Sequence, residues 1–306
     1  MKLLPTQLMN TNFRLLFTLA LVLLCALPLS ARNRPRLHFE LDGVKFDMVL
    51  VEGGKFTMGA TAEQAGYSDD EHPLHEVRLS DYYIGETEVT QELWTAVMGE
   101  NPSYFQLGGN YPVERVSWFD VQVFLKKLNH LCLGNFELPT EAQWEYAARG
   151  GQKSRDCRYA GSDVPDSVAW FGAGEPPAEG AFSDTIFVGS YLNSKCAHTY
   201  PVAQKQPNEL GLYDMSGNVA EWTSTFYAPY TDRKVKNPKG PTDGDARVFR
   251  GGCWCLGDFN CRVSCRQRAL GGFRYVNLGF RLVLPTWSQV TPSLFGSDTI
   301  VIGKQD

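Results

Sequence analysis

The run Asn208-Glu209-Leu210-Gly211-Leu212-Tyr213-Asp214-Met215-Ser216-Gly217-Asn218-Val219-Ala220-Glu221-Trp222 follows neither the 3.6-residue period of a helix nor the alternation of a long strand. Gly211 and Gly217-Asn218 mark turns, so a short strand leading into Trp222 is expected. Asp214 and Glu221 bracket the turn with carboxylates, and the carbonyls of Gly217 and Val219 lie between them. Four oxygens of that kind suit a hard cation such as calcium. The alternative is purely structural: Asp214 caps a turn and Glu221 pairs with an arginine.

Working outward, helices are placed by their caps. Thr90 caps 91–98, with Gly99 as the stop. Ser117 caps 118–131, which carries Val121, Phe124, Leu125 and Leu128 on one face. Thr140 and Gln143 form a capping box for 141–149, closed by Gly150. Strands are expected over 33–46, on both sides of a Gly53-Gly54 turn, over 77–84, and around 211–222, 247–254, 281–284 and 299–302. Residues 151–210 are rich in Gly, Pro and Ser without a period, which reads as irregular structure packed on a core. The whole describes one α+β domain over residues 32–284, with few long elements and an extension at 285–306. Trp144, Trp222 and Trp254 read as core anchors, and Arg149, Arg262 and Arg281 as forks pairing buried carboxylates or carbonyls.

Five segments combine with that run. They are Val51-Glu52-Gly53-Gly54-Lys55-Phe56-Thr57-Met58-Gly59, Glu86-Thr87-Glu88-Val89-Thr90, Leu138-Pro139-Thr140-Glu141-Ala142-Gln143-Trp144-Glu145-Tyr146-Ala147-Ala148-Arg149-Gly150, and Arg250-Gly251-Gly252 with the closing Gly279-Phe280-Arg281. In this order they resemble the formylglycine-generating enzyme (sulfatase-modifying factor) family, from about Val44 to Leu284. The resemblance implies an irregular α+β fold related to C-type lectins. It also implies calcium on Asp214, Gly217, Val219 and Glu221. Catalytic members bind copper(I) through two cysteines, activate oxygen and oxidise a sulfatase cysteine to formylglycine.

The cysteines decide how far that implication carries. Eight occur, at 25, 132, 157, 196, 253, 255, 261 and 265. The family spacing is Cys-x4-Cys, beginning five residues after the first Gly of the Gly-Gly motif. From Gly251 it falls on Leu256 and Cys261. Cys255 adjoins the departed position, so Cys255 with Cys261 is the candidate displaced copper pair; Cys253-x-Cys255 and Cys261-x3-Cys265 are also available. Thiolates are soft donors that select copper(I). The competing reading is one or two disulfides within 253–265, or inert thiols. The segment 251–281 also carries Arg262, Arg266, Arg268, Arg274 and Arg281 against Asp258 alone. Those arginines either belong to the fold or form a site for an anionic ligand.

Composition bounds the rest. With 306 residues, 43% of them apolar, the chain is neither disordered nor a disulfide-dependent miniprotein. A net charge of -5 argues against a generic nucleic-acid binder. Lys2 and Arg14 precede an apolar run from Leu15 to Leu27, Pro28 breaks it, and Leu29-Ser30-Ala31 offers a cleavage site. Residues 1–31 therefore read as a secretory signal peptide, leaving an exported periplasmic, cell-surface or extracellular protein with no integral membrane span. His72 and His75 stand three apart in a polar loop and suggest no metal constellation.

Two functions follow. One is an exported oxidase of the formylglycine-generating type, acting on a cysteine-containing protein such as a sulfatase. The other is a non-catalytic binding module on the same scaffold. Positions 255–259 and 270–276 resemble the variable regions of C-type-lectin-like proteins diversified by retroelements. A non-haem iron sulfoxide synthase is disfavoured, because such proteins carry their iron histidines on a further domain that this chain has no room for.

Overall fold

In chain order, a computed structural model places β1 (Arg36–Leu41), β2 (Val44–Val51), β3 (Lys55–Met58), β4 (His75–Arg78) and β5 (Tyr82–Gly85) first. Helices α1 (Gln91–Met98), α2 (Trp118–Cys132), α3 (Glu141–Ala148) and α4 (Pro165–Val168) follow. Then come β6 (Ala220–Phe226), β7 (Val235–Lys236), β8 (Ala246–Arg250), β9 (Arg266–Leu270), β10 (Leu278–Gly279), β11 (Val283–Pro285) and β12 (Thr299–Ile302). The structure describes residues 35–132, 134–173, 198–286 and 299–302; the expected signal peptide and Cys196 lie outside them. The expected α+β architecture of short elements is present. Three sheets run β11-β5-β2-β1-β12, β10-β6-β8-β9 and β3-β4-β7.

Local sequence accounts for most elements. Thr90 accepts a hydrogen bond from the Leu93 N–H, and Gly99 ends α1 at φ +90. Ser117 Oγ accepts from the Asp120 N–H at the start of α2. The Thr140–Gln143 box opens α3 in both directions. Trp94 of α1 stacks on Phe124 of α2 at 5.1 Å, and the Phe280 edge meets both rings. Such pairs add about 0.5–1.5 kcal/mol beyond area burial. Val121, Phe124, Leu125 and Leu128 are the buried face of α2, as their spacing requires.

Three strand expectations need correction. The lead-in over 33–46 is two strands, because Asp42 and Gly43 both take positive φ (51 and 83) and form a tight turn between β1 and β2. Gly53-Gly54 does not join a hairpin: β2 and β3 belong to different sheets. A Cβ on Gly53 would overlap the backbone of Leu79 and Ser80, so the glycine is where two chain segments cross. At the same crossing the expected strand 77–84 splits into β4 and β5, with the Gly53 N–H donating to Asp81 at 2.8 Å. From the expected extension, β12 lies parallel to β1 at one end of the first sheet.

Helix α3 is buried almost all round, including Glu141 and Glu145. A carboxylate in that setting needs a cation and donors. Arg266 bonds both oxygens of Glu141 at 2.8 and 2.9 Å. Arg250 pairs with Glu145 and donates to the carbonyls of Ser264 and Cys265 at 2.6 and 2.7 Å.

Candidate functional site

The run from Asp214 to Glu221 enters β6 through residues with left-handed backbone: Asp214 (φ 56), Gly217 (φ 80) and Asn218 (φ 58). Asn tolerates this region better than other side chains with a Cβ. Asn218 also gains four bonds: its N–H donates to Trp170 O, Oδ1 accepts from Tyr200 N, and Nδ2 donates to Glu88 Oε2 and Tyr200 O. Gly217 has no such choice, because a Cβ there would overlap the Trp170 backbone. Gly217→Ala is expected to cost about 3 kcal/mol or more, from clash plus a strained φ. Urea denaturation checks this, and a loss below about 1 kcal/mol contradicts it.

Glu221 is fully engaged. Arg281 bonds its two oxygens at 2.6 Å each, and Trp144 Nε1 donates to Oε2 at 2.7 Å. Arg281 also donates to Gly85 O and Tyr213 O at 3.0 Å. Asp214 Oδ2 accepts from the Ala203 N–H at 2.7 Å, while its buried Oδ1 has no hydrogen-bond partner. A third carboxylate, Glu88, accepts from Val219 N–H at 3.1 Å. Burial, then the neighbouring Asp214 and Glu221 charges, push Glu88 well above the usual carboxylate range. Burial pushes Asp214 up to about 6. Three buried acids therefore face one guanidinium. Among the described residues, no three His, Cys, Asp or Glu side chains are placed to hold a metal ion by themselves. The surplus carboxylates and the orphaned Asp214 oxygen are nonetheless what a hard cation would satisfy.

All six described cysteines are free thiols. Cys255 meets Cys253, with 3.3 Å between the sulfurs, and not Cys261 as expected. A tight turn, with the Leu256 N–H on Cys253 O at 3.3 Å, folds these two together. The short helical turn Asp258–Cys261 sets the Cys261 sulfur against the backbone of Cys253, whose N–H donates to it. Cys261 packs against Tyr159, Val168 and Ala169, beneath Gly252, whose Cβ would lie 2.8 Å from its sulfur. Asn277 Nδ2 donates to Cys253 Sγ at 3.1 Å and to Cys255 Sγ at 3.6 Å. Burial raises the Cys253 thiol, but bonds from Cys255 and Asn277 outweigh it and hold it below the ordinary range. Burial drives Cys255 and Cys261 well up. Leu256 is a core residue beside Trp254 and Val276.

Partly buried Phe105, Trp170 and Tyr200 pack against the cluster that holds this pair. Trp170 stacks on Tyr200 at 3.8 Å, Lys205 sits 4.0 Å from the Trp170 ring, and Phe105 meets Trp254 edge-on. The arginines of 251–281 mostly serve the fold. Arg262, Arg266 and Arg281 are buried on Glu71, Glu141 and Glu221, and Arg274 holds Asp120 at the surface. No anionic-ligand site forms from these four. Sequence reasoning missed Glu88 and Asn277. Glu88 stood inside a quoted motif, whereas nothing in the spacing of Asn277 pointed to the thiols.

The architecture is that of the formylglycine-generating enzyme and its structural neighbours. Residues 42–286 match the model of the sulfatase-modifying factor enzyme 1-like domain, and the chain belongs to that family. It is similar to the chaperone protein LppX of Paenibacillus barcinonensis, with 38% identity over 69% of this chain and 79% of that protein. The formylglycine-generating enzyme of Streptomyces coelicolor is 30% identical over 76% of this chain and 87% of its own length. Among solved structures, Treponema denticola variable protein 1 superposes with a TM-score of 0.69. Its identity is 30%, over 83% of this chain and 100% of that one. Among the described residues no helix is long and apolar enough to cross a membrane.

Proposed function

We propose that the chain is an exported oxidase of this family that converts a cysteine of a protein substrate, such as a sulfatase, to formylglycine with copper(I). The observation that carries this reading is the buried thiol pair 3.3 Å apart, immediately after Gly251-Gly252. Bound copper(I) would supply a soft centre for a substrate thiol and for oxygen activation. This chain's residues would do the rest. Cys253 and Cys255 offer sulfur donors, and Asn277 orients them. Trp254, Leu256 and Val276 exclude water, and Phe105, Trp170 and Tyr200 pack around them. The test is aerobic incubation of the copper-loaded protein with a cysteine-bearing sulfatase peptide, followed by aldehyde trapping and mass spectrometry. Oxygen-dependent aldehyde supports the reading; an unmodified peptide sinks it.

An unmodified peptide would favour the second reading, a non-catalytic binding module. Leu256 at the position of the family's first catalytic cysteine supports it.

The same proposal includes calcium at Asp214, beside Glu88 and Glu221, where the orphaned oxygen and surplus charge lie. Calcium at 100 times its dissociation constant is expected to add about 2.7 kcal/mol of stability. Thermal unfolding with calcium and with EDTA reads this as a rise of several degrees. An unchanged midpoint contradicts it, and the rise should vanish in Asp214→Asn.

A further inference from the structure

We propose that the soft-metal pair of this chain is Cys253 and Cys255, held in place by Asn277, and that Cys261 is not a ligand. The inference rests on the copper reading above and specifies which sulfurs it uses. The sequence alone favoured Cys255 with Cys261, the pair nearest to the family spacing. The structure assigns the donors differently.

Three observations carry the assignment. The Cys253 and Cys255 sulfurs lie 3.3 Å apart on one turn, so they can share a metal without moving the backbone. One amide, Asn277 Nδ2, reaches both sulfurs, and among the described residues no other side chain bonds both. An N–H directed at a sulfur stabilises it as a thiolate and fixes its direction, the part an outer partner plays around a metal. Third, Asn277 Oδ1 is buried with no partner. A buried amide oxygen left unmatched costs stability unless something meets it. Here it stands on the residue that gathers the two sulfurs. Cys261 lies beside them, its sulfur bonded by the Cys253 backbone N–H and walled by Tyr159, Val168 and Ala169, but among the described residues the three thiols do not form a group placed to hold one metal ion together.

Binding is a simple exchange. Two S–H protons leave, two S–Cu bonds form, and copper stays in its +1 state. Soft sulfur donors in a dry pocket favour copper(I) over a hard ion such as calcium. Both thiols are fully buried, so the metal must reach them through the packed protein around them.

The test is an anaerobic titration of the reduced full-length protein with copper(I) against a chromophoric chelator. Cys253→Ser, Cys255→Ser, Cys261→Ser and Asn277→Ala are run beside it, with Cys265→Ser as a control for a buried serine. One copper per chain is expected. Asn277→Ala should weaken binding by roughly 10–100-fold, the usual loss with an outer partner. Cys253→Ser and Cys255→Ser should each weaken it further, and Cys261→Ser should match the control. Copper X-ray absorption on the wild type reads the same donors without any substitution and should show two protein sulfurs. If Cys261→Ser loses binding as Cys253→Ser does, or if three sulfurs are seen, the assignment is overturned while the copper reading survives. If the wild type takes up no stoichiometric copper, both fall.

Discussion

Arg281→Met is expected to cost about 3–5 kcal/mol of folding stability, the range for stripping one partner from a buried ion pair. Arg281 and Glu221 are both 0% exposed. The substitution leaves Glu221 with only Trp144 as donor and strands the carbonyls of Gly85 and Tyr213. It also removes the one guanidinium facing Glu88 and Asp214. Arg281→Lys should recover little, since a single ammonium cannot span two carboxylate oxygens and two carbonyls. The double variant Arg281→Met with Glu221→Leu should be more stable than Arg281→Met alone, because no charge is then left unpaired. Urea denaturation of the three variants checks this. A loss below about 1 kcal/mol for Arg281→Met would show that water reaches the site.

The second large effect concerns Arg262 and Glu71, where the segment between β3 and β4 is tied to the cysteine segment. Arg262 bonds the two oxygens of Glu71 at 2.9 and 2.6 Å, and both side chains are fully buried. The Ser68 N–H donates to the same carboxylate at 2.9 Å. Arg262→Met is again expected to lose about 3–5 kcal/mol at neutral pH. The pH dependence adds a signature. Burial raises Glu71, but bonds from Arg262, Ser264 and Ser68 outweigh it, so its folded value lies below the ordinary one. Such a group stabilises fully above the unfolded value near about 4.3, and its contribution fades as pH falls through the folded value. Wild type and variant should therefore differ most at pH 7 and converge under acid. Parallel denaturations at neutral and acidic pH measure the gap, and a gap independent of pH would contradict the assignment.

How much of this was legible depended on the reach of the interactions. Capping signals act within one helical turn, and Thr90, Ser117 and Thr140 mark their helices in sequence and structure alike. The α+β class and the family order were legible for a similar reason, because each motif is a local solution to a turn or a buried charge. Strand partners are set by contacts between distant segments. Gly53-Gly54 looks like a hairpin turn but is a crossing point, fixed by Leu79 and Ser80 some 25 residues on. The arginine pairs were legible as a type and not as partners, since Arg262 lies 191 residues from Glu71. For the cysteines, spacing to the Gly-Gly motif suggested Cys255 with Cys261. The turn that brings Cys253 onto Cys255, and the arrival of Asn277 from 22 residues away, depend on folded geometry.

The parallel docking of β12 on β1 bears on how this protein would be handled and on its tendency to self-associate. Ile300 and Ile302 turn inward while Val301 faces solvent, so four residues cover the backbone edge of β1 from His38 to Leu41. An uncovered strand edge is a template for pairing with another chain. Shortening the chain before Thr299 would open that template, and the expected product is an associating species rather than a merely less stable monomer. β12 is itself the new edge, but with four residues in place of the six of β1 it leaves a shorter template, and its worth is measured in solubility.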